Sequence, residues 1–491
     1  MNRCVTLAGV CAFLVGQVSA AQTVSPDVQR HIDKVVGCLH EPVMAKGDPC
    51  ISLEKRMEAM HVPGVSVAVI HDGKLEWARG FGVAKVGGPA VTAGTMFQAG
   101  SISKPVAAMA ALRLVQQKKL ALDEDVEKEL VEWKLPSSEA AHGRPVTLRE
   151  LLTHTGGTTV HGFPGYAQDA PVPTLVQVLD GEKPANTPAI RIETEPGTKW
   201  NYSGGGFTIM QATMIDAAKE PFPKLLQESV LAPMGMKHST YEQPLPARMG
   251  PAATPYNADG TPVAGGAHTY PEMAAAGLWT TASDLALYVM ENQQSLKGKA
   301  NHVLSQVMTK EMMTLGMGSW GLGVQIGGSE ADRYFMHGGV NAGFEALFVG
   351  YENHGDGAVV MTNAQGGSRL AQQVMQSIAA EYGWPDFKPV VRTEVKLDRS
   401  VLEKYVGTYE LGPKFSLTFT LEGDQLISQA SGQPAVPVFA ESETKFFTKM
   451  MNAEIDFVKD DKGEVTGMVL HQGGRDINGP RKKESTPNGG A

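Results

Sequence analysis

The sequence predicts an α+β fold, in which both ends of one long domain build a single sheet and a helical section is inserted between them. Residues 64–84 alternate like two strands joined at Asp72-Gly73, a strong short signal for a hairpin. Helical patterns broken by Pro- and Gly-rich loops dominate from residue 101 to about 290. Strand patterns return between residues 321 and 364, and a last helical pattern follows them.

A second, smaller domain is predicted near the C-terminus. Residues 385–395 have the composition of a linker, so the first domain covers residues 21–384. From residue 396 to residue 482, short alternating strands with turn residues between them predict a small antiparallel β-barrel. The polar residues 483–491 predict a disordered tail.

Residues 1–20 have the features of a secretory signal peptide: Arg3, then an apolar run, then the small-residue cleavage site Val18-Ser19-Ala20. The apolar run is shorter than a membrane span of about 18 residues, and no later segment is apolar enough to cross a bilayer. We therefore expect export to the periplasm or the extracellular space, with no stable membrane span. The net charge of −9 and the scattered basic residues argue against a nucleic-acid partner. The sequence makes no prediction of oligomeric state.

Two cysteines, Cys38 and Cys50, remain after the predicted cleavage. In an oxidising compartment we expect them to form a disulfide that closes a short loop, and the alternative is two buried free thiols. The chain has no C-x-x-C or H-E-x-x-H pattern, so neither a metal nor a cofactor is predicted. His154 and His161 flank a Gly-rich loop, and we expect a structural role for both.

Ser101-Ile-Ser-Lys104 is the strongest sign of chemistry in the chain. Good helix formers follow it, so the serine and the lysine are expected on one face at the start of a helix. A serine hydroxyl is a poor nucleophile until a neighbouring group takes its proton. The spacing therefore indicates a nucleophile beside a base, and the alternative is an ordinary helix start at the surface.

Two further clusters follow in order. Tyr202 lies in Trp200-Asn-Tyr-Ser-Gly-Gly-Gly206, between a Pro-Gly turn and a helix start, where its phenol could enter a cleft or simply pack in the core. His337-Gly338-Gly339-Val340-Asn341 ends a predicted strand. Glycines on a strand let another backbone lie close, as a substrate carbonyl or amide requires, and the alternative is a bulge with a surface histidine.

Together, the three clusters resemble the serine β-lactamase and penicillin-binding protein family. The resemblance is to the branch that holds class C β-lactamases, D-Ala-D-Ala carboxypeptidases, D-aminopeptidases and carboxylesterases. It spans roughly residues 50–382 and includes the stretch Leu151-Leu-Thr-His154-Thr-Gly-Gly157. It implies a β-lactamase/transpeptidase-like antiparallel sheet flanked by helices, with an inserted helical subdomain. The C-terminal module resembles the lipocalin-like domain that is often appended to such hydrolases.

The resemblance also implies roles for single residues. Ser101 would be the nucleophile, and Lys104 and Tyr202 would move protons as a coupled pair. The backbone N–H groups of Ser101 and Val340 would bind the oxyanion. Substrate contacts would come from the other residues of the third cluster, His337, Gly338, Gly339 and Asn341.

Two positions depart from the family pattern. Gly204 stands where the second motif usually has an asparagine, and we expect Asn201 or Asn341 to substitute for its amide. His337 stands where the third motif often has a lysine, and a histidine carries charge only in acid. If His337 binds a substrate carboxylate, KM for anionic substrates should rise between roughly pH 6 and 7.5.

The sequence thus predicts an exported serine hydrolase that acts through an acyl-enzyme on Ser101 and needs no cofactor. Its expected partner is a small-molecule or peptide substrate with an amide or ester bond, including peptides that contain D-amino acids. β-Lactam hydrolysis is the alternative activity. A penicillin-binding sensor or an inactive binding protein is the alternative of another class.

Overall fold

A computed structural model describes residues 24–473 and 475–482 of the chain. The predicted signal peptide and the predicted tail lie outside the described residues. The α-helices are α1 (Pro26–Gly37), α2 (Leu53–Ala59), α3 (Ser103–Gln116), α4 (Leu148–Leu152), α5 (Leu175–Asp180), α6 (Gly204–Ala218), α7 (Phe222–Leu226), α8 (Met273–Ala276), α9 (Ala282–Leu296), α10 (Gln306–Met312), α11 (Gly367–Glu381) and α12 (Arg399–Leu402). The strands of the first domain are β1 (Val43–Ala45), β2 (Gly64–His71), β3 (Lys74–Gly82), β4 (Phe97–Gln98), β5 (Trp279–Thr280), β6 (Gln325–Gly327), β7 (Tyr334–Asn341), β8 (Phe344–Tyr351) and β9 (Gly357–Thr362). They are followed by β10 (Val390–Arg392), β11 (Gly407–Gly412), β12 (Phe415–Glu422), β13 (Gln425–Ala430), β14 (Ala435–Ala440), β15 (Lys445–Thr448), β16 (Ala453–Lys459), β17 (Val465–Gln472) and β18 (Arg475–Pro480).

The central sheet joins the two ends of the first domain. Its six strands lie in the order β3-β2-β9-β8-β7-β6, and every pair in it is antiparallel. β2 and β3 turn at Asp72 and Gly73, whose φ angles are +52° and +71°, as a tight hairpin requires. The predicted α+β class, with a helical section inserted between the chain ends, is therefore confirmed.

Alternating residues of β2 explain why the sheet is covered on both faces. Val65, Val67 and Val69 pack into one apolar cluster with α1 and α11. Ala68 and Ile70 point the other way, into the larger cluster that contains α3, α6 and α9. Because successive side chains on a strand point to opposite faces, a strand that is apolar throughout is buried on both sides. The helical section therefore packs on one face only, and the active-site candidates lie along that face.

The C-terminal module is an eight-stranded antiparallel meander, β11 to β18 in sequence order. Its first and last strands approach each other where the Lys482 N–H donates to the Thr408 carbonyl at 2.8 Å, so the sheet forms a nearly closed barrel, as predicted. Aromatic rings fill its interior. The Phe457 ring centroid lies 4.3–5.5 Å from those of four other rings, which belong to Tyr405, Tyr409, Phe419 and Phe446.

The segment predicted as a linker, residues 385–395, also contains a strand. β10 pairs in parallel with β1, which lies inside the loop closed by the Cys38–Cys50 disulfide. On the barrel, the Lys449 ammonium contacts Asp48 of that loop at 2.9 Å and Glu394 of the linker at 3.1 Å. The disulfide loop therefore joins the linker and the barrel to the first domain.

Within the part of the chain that the structure describes, no helix combines the length and the apolar character needed to cross a membrane.

Candidate active site

Ser101 and Lys104 meet at the start of α3. Ser101 lies in the 3₁₀ turn Gly100–Ile102, which leads directly into the helix, and its side chain is partly accessible. Lys104 is only 2% exposed, and its ammonium donates to Ser101 Oγ at 2.9 Å and to the Ala275 carbonyl at 2.8 Å. Because α3 is buried on nearly all sides, the Lys104 amine is held inside the domain. The Ser101 hydroxyl, at the start of the helix, stays partly accessible.

Tyr202 lies beside this pair, immediately before α6. The Lys104 ammonium is 5.1 Å from the centroid of the Tyr202 ring. Ser203, the N-cap of α6, accepts a hydrogen bond from the Gly206 N–H at 3.1 Å, which fixes where the helix begins and therefore where Tyr202 sits. The hydroxyl and the amine of the first motif and the phenol ring of the second, predicted from two distant segments, thus come together.

Two histidines hold Tyr202 in place. The His154 ring packs 4.3 Å from the Tyr202 ring, its Nδ1 accepts the Ser203 N–H at 3.2 Å, and its carbonyl accepts the Asn201 N–H at 2.8 Å. The His161 ring hydrogen-bonds the Tyr202 carbonyl. Both residues were expected to be structural, and their contact with Tyr202 was missed. The signal available in the sequence was only their position around a Gly-rich loop.

Close backbone contact between β7 and the Ser101 turn explains why Gly100 and Gly339 are glycines. β6 pairs with β7 only at Tyr334–Met336, and beyond this the edge of β7 lies against the turn. A Cβ on Gly100 would lie 2.5 Å from the Val340 nitrogen, and one on Gly339 would lie 1.9 Å from the Ala99 carbonyl oxygen. Only glycine fits at both positions. The backbones of Ser101 and Val340 are therefore adjacent, which is the arrangement that a two-donor oxyanion site needs.

His337 does not have the environment of a cation. It is 4% exposed, its Nδ1 pairs with the Gly338 carbonyl at 2.6 Å, and its Nε2 is buried with no hydrogen-bond partner among the described residues. Burial, and then the charge of Lys104, lowers the pKa of His337 to about 3. The prediction that His337 changes its charge between roughly pH 6 and 7.5 is therefore wrong. Gly338, next to it, is exposed and remains available to a substrate.

Asn341 ties the end of β7 to the structure behind it. It is 6% exposed, and its amide nitrogen donates to Gln98 at 2.9 Å and to the Ala276 carbonyl at 3.0 Å. Its Oδ1 is buried with no hydrogen-bond partner among the described residues, so its contact with a substrate stays a prediction. Asn201 donates to Glu193 at 3.2 Å, so the amide nitrogens of both asparagines already have partners.

Rings occupy the space around Gly204 and His337. A Cβ on Gly204 would lie 2.8 Å from the Phe163 ring, so this ring fills the place of a side chain at position 204. The centroid of the Trp320 ring lies 5.7 Å from that of Tyr202 and 5.2 Å from that of His337. The Trp200 ring stacks on Trp320 with the two centroids 6.0 Å apart. Aromatic rings therefore line the site.

One buried acid lies close to the helix that holds Lys104. Glu272 immediately precedes α8, whose Ala275 carbonyl accepts from Lys104. It is wholly buried, and neither carboxyl oxygen has a hydrogen-bond partner among the described residues. Burial raises the pKa of Glu272 to about 8. Across the described ranges, His, Cys, Asp and Glu side chains form no group of three that could hold a metal ion.

Comparison with known proteins agrees with this geometry. The family model described as "Beta-lactamase" matches residues 52–380, and a domain of unknown function, DUF3471, matches residues 391–481. Penicillin-binding protein 4* of Bacillus subtilis is 22% identical, over 79% of this chain and 88% of its own length. A β-lactamase of Lysobacter lactamgenus is 32% identical, over 49% of this chain and 58% of its own length.

Solved structures show the same fold. The octameric penicillin-binding protein homologue from Pyrococcus abyssi has a TM-score of 0.59 at 22% identity, covering 87% of this chain and 98% of its own. D-Alanine carboxypeptidase AmpC from Burkholderia cenocepacia has a TM-score of 0.54 at 19% identity, covering 72% of this chain and 99% of its own. With a family model that spans most of the chain, the resemblance first drawn from three short motifs is confirmed: the chain belongs to the serine β-lactamase and penicillin-binding protein family.

Proposed function

We propose that this protein is an exported serine hydrolase that cleaves ester or amide bonds of small acyl groups through an acyl-enzyme on Ser101. The observation that supports this most is the 2.9 Å contact between the Lys104 ammonium and the Ser101 hydroxyl, with the Tyr202 ring beside them. A buried amine and a phenol next to a partly accessible hydroxyl form a proton-transfer unit for an otherwise weak nucleophile.

In the proposed mechanism, the reactive form of the Lys104–Tyr202 pair has already lost one proton to solvent, so the pair can accept another. Ser101 Oγ attacks the substrate carbonyl carbon, and its proton passes to this pair. The oxyanion accepts hydrogen bonds from the N–H groups of Ser101 and Val340, each worth about 10²–10³ in rate. The bond to the leaving group then breaks, and the leaving group takes the proton. Water, which gives a proton to the same pair, attacks the acyl ester, releases the acid and restores the hydroxyl.

Turnover with a Ser101→Ala variant tests this proposal. We expect the wild type to hydrolyse p-nitrophenyl esters with a burst of p-nitrophenol equal to one acyl group per chain, followed by slower steady turnover. Ser101→Ala should lose the burst and at least about 10³-fold of kcat/KM. Ser283→Ala, which removes a partly buried hydroxyl from α9, is the matched control and should keep both. Equal rates for the two variants would reject the proposal.

β-Lactam hydrolysis is a second candidate, because two of the relatives found are named β-lactamases, at 28% and 32% identity. Nitrocefin in the same assay separates the candidates. Steady nitrocefin turnover that exceeds ester turnover would favour a β-lactamase. A stable penicillin adduct on Ser101, with no turnover of any substrate, would favour a penicillin-binding sensor.

The disulfide between Cys38 and Cys50 supports the proposed export, because disulfides persist in oxidising compartments. N-terminal sequencing of protein from the periplasmic or extracellular fraction should give a chain that begins at Ala21. A full-length, reduced chain in the cytosolic fraction would argue against export.

A further inference from the structure

The third motif offers a substrate no positive charge. His337 stands where a lysine would hold a substrate carboxylate, but its Nδ1–H is already donated to the Gly338 carbonyl at 2.6 Å. Its Nε2 has no hydrogen-bond partner among the described residues, so a second proton there would be buried without an acceptor. Among the described residues, the titratable and aromatic groups near this ring are Lys104, His154, Tyr202 and Trp320, and none of them is a carboxylate that would stabilise the proton.

Lys104 cannot take over this task. The residue is 2% exposed, and two hydrogen bonds of its ammonium go to Ser101 Oγ and the Ala275 carbonyl. A carboxylate that approached β7 would therefore find no free cation on either Lys104 or His337. Taking a carboxylate out of water without a partner is costly, so such a substrate is penalised on entry.

The second motif is apolar where the family has an amide. The Phe163 ring fills the space at Gly204, where a Cβ would lie 2.8 Å from it. The turn Met317–Ser319 packs against Trp200, since a Cβ on Gly318 would lie 2.4 Å from the indole. Met317 and Val340 remain 45% and 60% exposed. A substrate would thus meet aromatic rings beside Tyr202 and an aliphatic side chain at Val340.

We propose that this site selects uncharged esters and amides with apolar acyl groups and discriminates against substrates that carry a carboxylate near the scissile bond. The inference rests on the proposed function, and it narrows that function. Penicillins and peptides that end in a free D-amino acid belong to the disfavoured class. Neutral esters and neutral amides belong to the favoured class.

Two esters of equal shape test the inference. The 4-methylpentanoyl and succinyl esters of p-nitrophenol have acyl groups that end in an isopropyl group and in an isosteric carboxylate. The succinyl carboxylate also attacks its own ester without enzyme, so the rate without enzyme is subtracted for both esters. We expect the wild type to prefer the uncharged ester by at least about 100-fold in kcat/KM. Burying a carboxylate without a partner costs more free energy than a 100-fold ratio represents. His337→Lys should reduce this preference by at least about 10-fold, and the neutral His337→Gln should leave it unchanged.

The outcomes separate the inference from the proposed function. A wild-type preference below about 5-fold, with cleavage of both esters abolished in Ser101→Ala, would overturn the inference and keep the hydrolase. A preference that His337→Lys and His337→Gln change equally would also overturn it. Cleavage of neither ester, or equal cleavage by Ser101→Ala, would overturn the proposed function and the inference with it. If the lysine variant does not fold, the wild-type ratio alone decides.

Discussion

The contact between β7 and the Ser101 turn leads to a quantitative prediction for Gly339→Ala. A Cβ at this position would lie 1.9 Å from the Ala99 carbonyl oxygen, and real Cβ atoms essentially never lie closer than 3.0 Å to another heavy atom. The two backbones must therefore separate by about 1 Å, which moves the N–H of Val340, the next residue, away from Ser101. A misplacement of this size costs about 10²-fold in rate, and complete loss of one oxyanion donor costs about 10²–10³. We therefore expect Gly339→Ala to lower kcat/KM by about 10²–10³-fold.

A glycine at the end of α1 provides the control. A Cβ on Gly37 would have no heavy atom within 4 Å outside its own helix. Gly37→Ala adds the same methyl group away from the site, so it should stay within about 3-fold of the wild type. kcat/KM for the 4-methylpentanoyl ester and the melting temperature are measured for both variants. A folded Gly339→Ala protein with the activity of Gly37→Ala would refute the reasoning.

Three further predictions concern Tyr202, His154 and the buried acid Glu272. Tyr202→Phe should lower kcat by about 10²–10⁴ while leaving the fold intact, and a kcat near that of the wild type would exclude proton transfer by the phenol. His154→Asn, whose amide oxygen can replace Nδ1 as the acceptor for the Ser203 N–H, should keep more of kcat than His154→Gln, and the reverse order would show that this hydrogen bond does not position Tyr202. Because burial raises the pKa of Glu272 from 4.5 to about 8, its ionisation opposes folding as the pH rises between these values. Glu272→Gln should raise the free energy of unfolding by about 3 kcal/mol at pH 7 and by little at pH 4.5, and a gain that is the same at both pH values would contradict this.

Local patterns were enough to predict the sheet, the barrel and the first motif. β2 and β3 alternate around a tight turn, and Ser101 and Lys104 are spaced by one helical turn, so neighbours in sequence determine these features. The strand in the predicted linker could not be predicted in this way. β10 pairs with β1, which lies more than 300 residues earlier, and its three residues carry no signal of their own.

The charge of His337 and the use of Asn341 depend on contacts between distant segments. A histidine in a Gly-rich motif has the same sequence whether it is exposed or buried, and here Trp320 and Lys104 decide its state. The Phe163 ring at Gly204 comes from a loop about forty residues away, and no periodicity indicates that it enters the site. Sequence reasoning identified the three motifs that meet in the site, and the structure shows which other side chains surround them.

Peptide mapping of a covalent adduct tests the central claim most directly. The protein is incubated with a fluorophosphonate, digested, and analysed by tandem mass spectrometry, with Ser101→Ala treated in parallel. If the Lys104–Tyr202 pair activates Ser101, the wild type should be labelled once per chain, on the peptide that contains Ser101, and the variant should remain unlabelled. An unlabelled wild type, or a label of equal extent on a different residue in both proteins, would contradict the account.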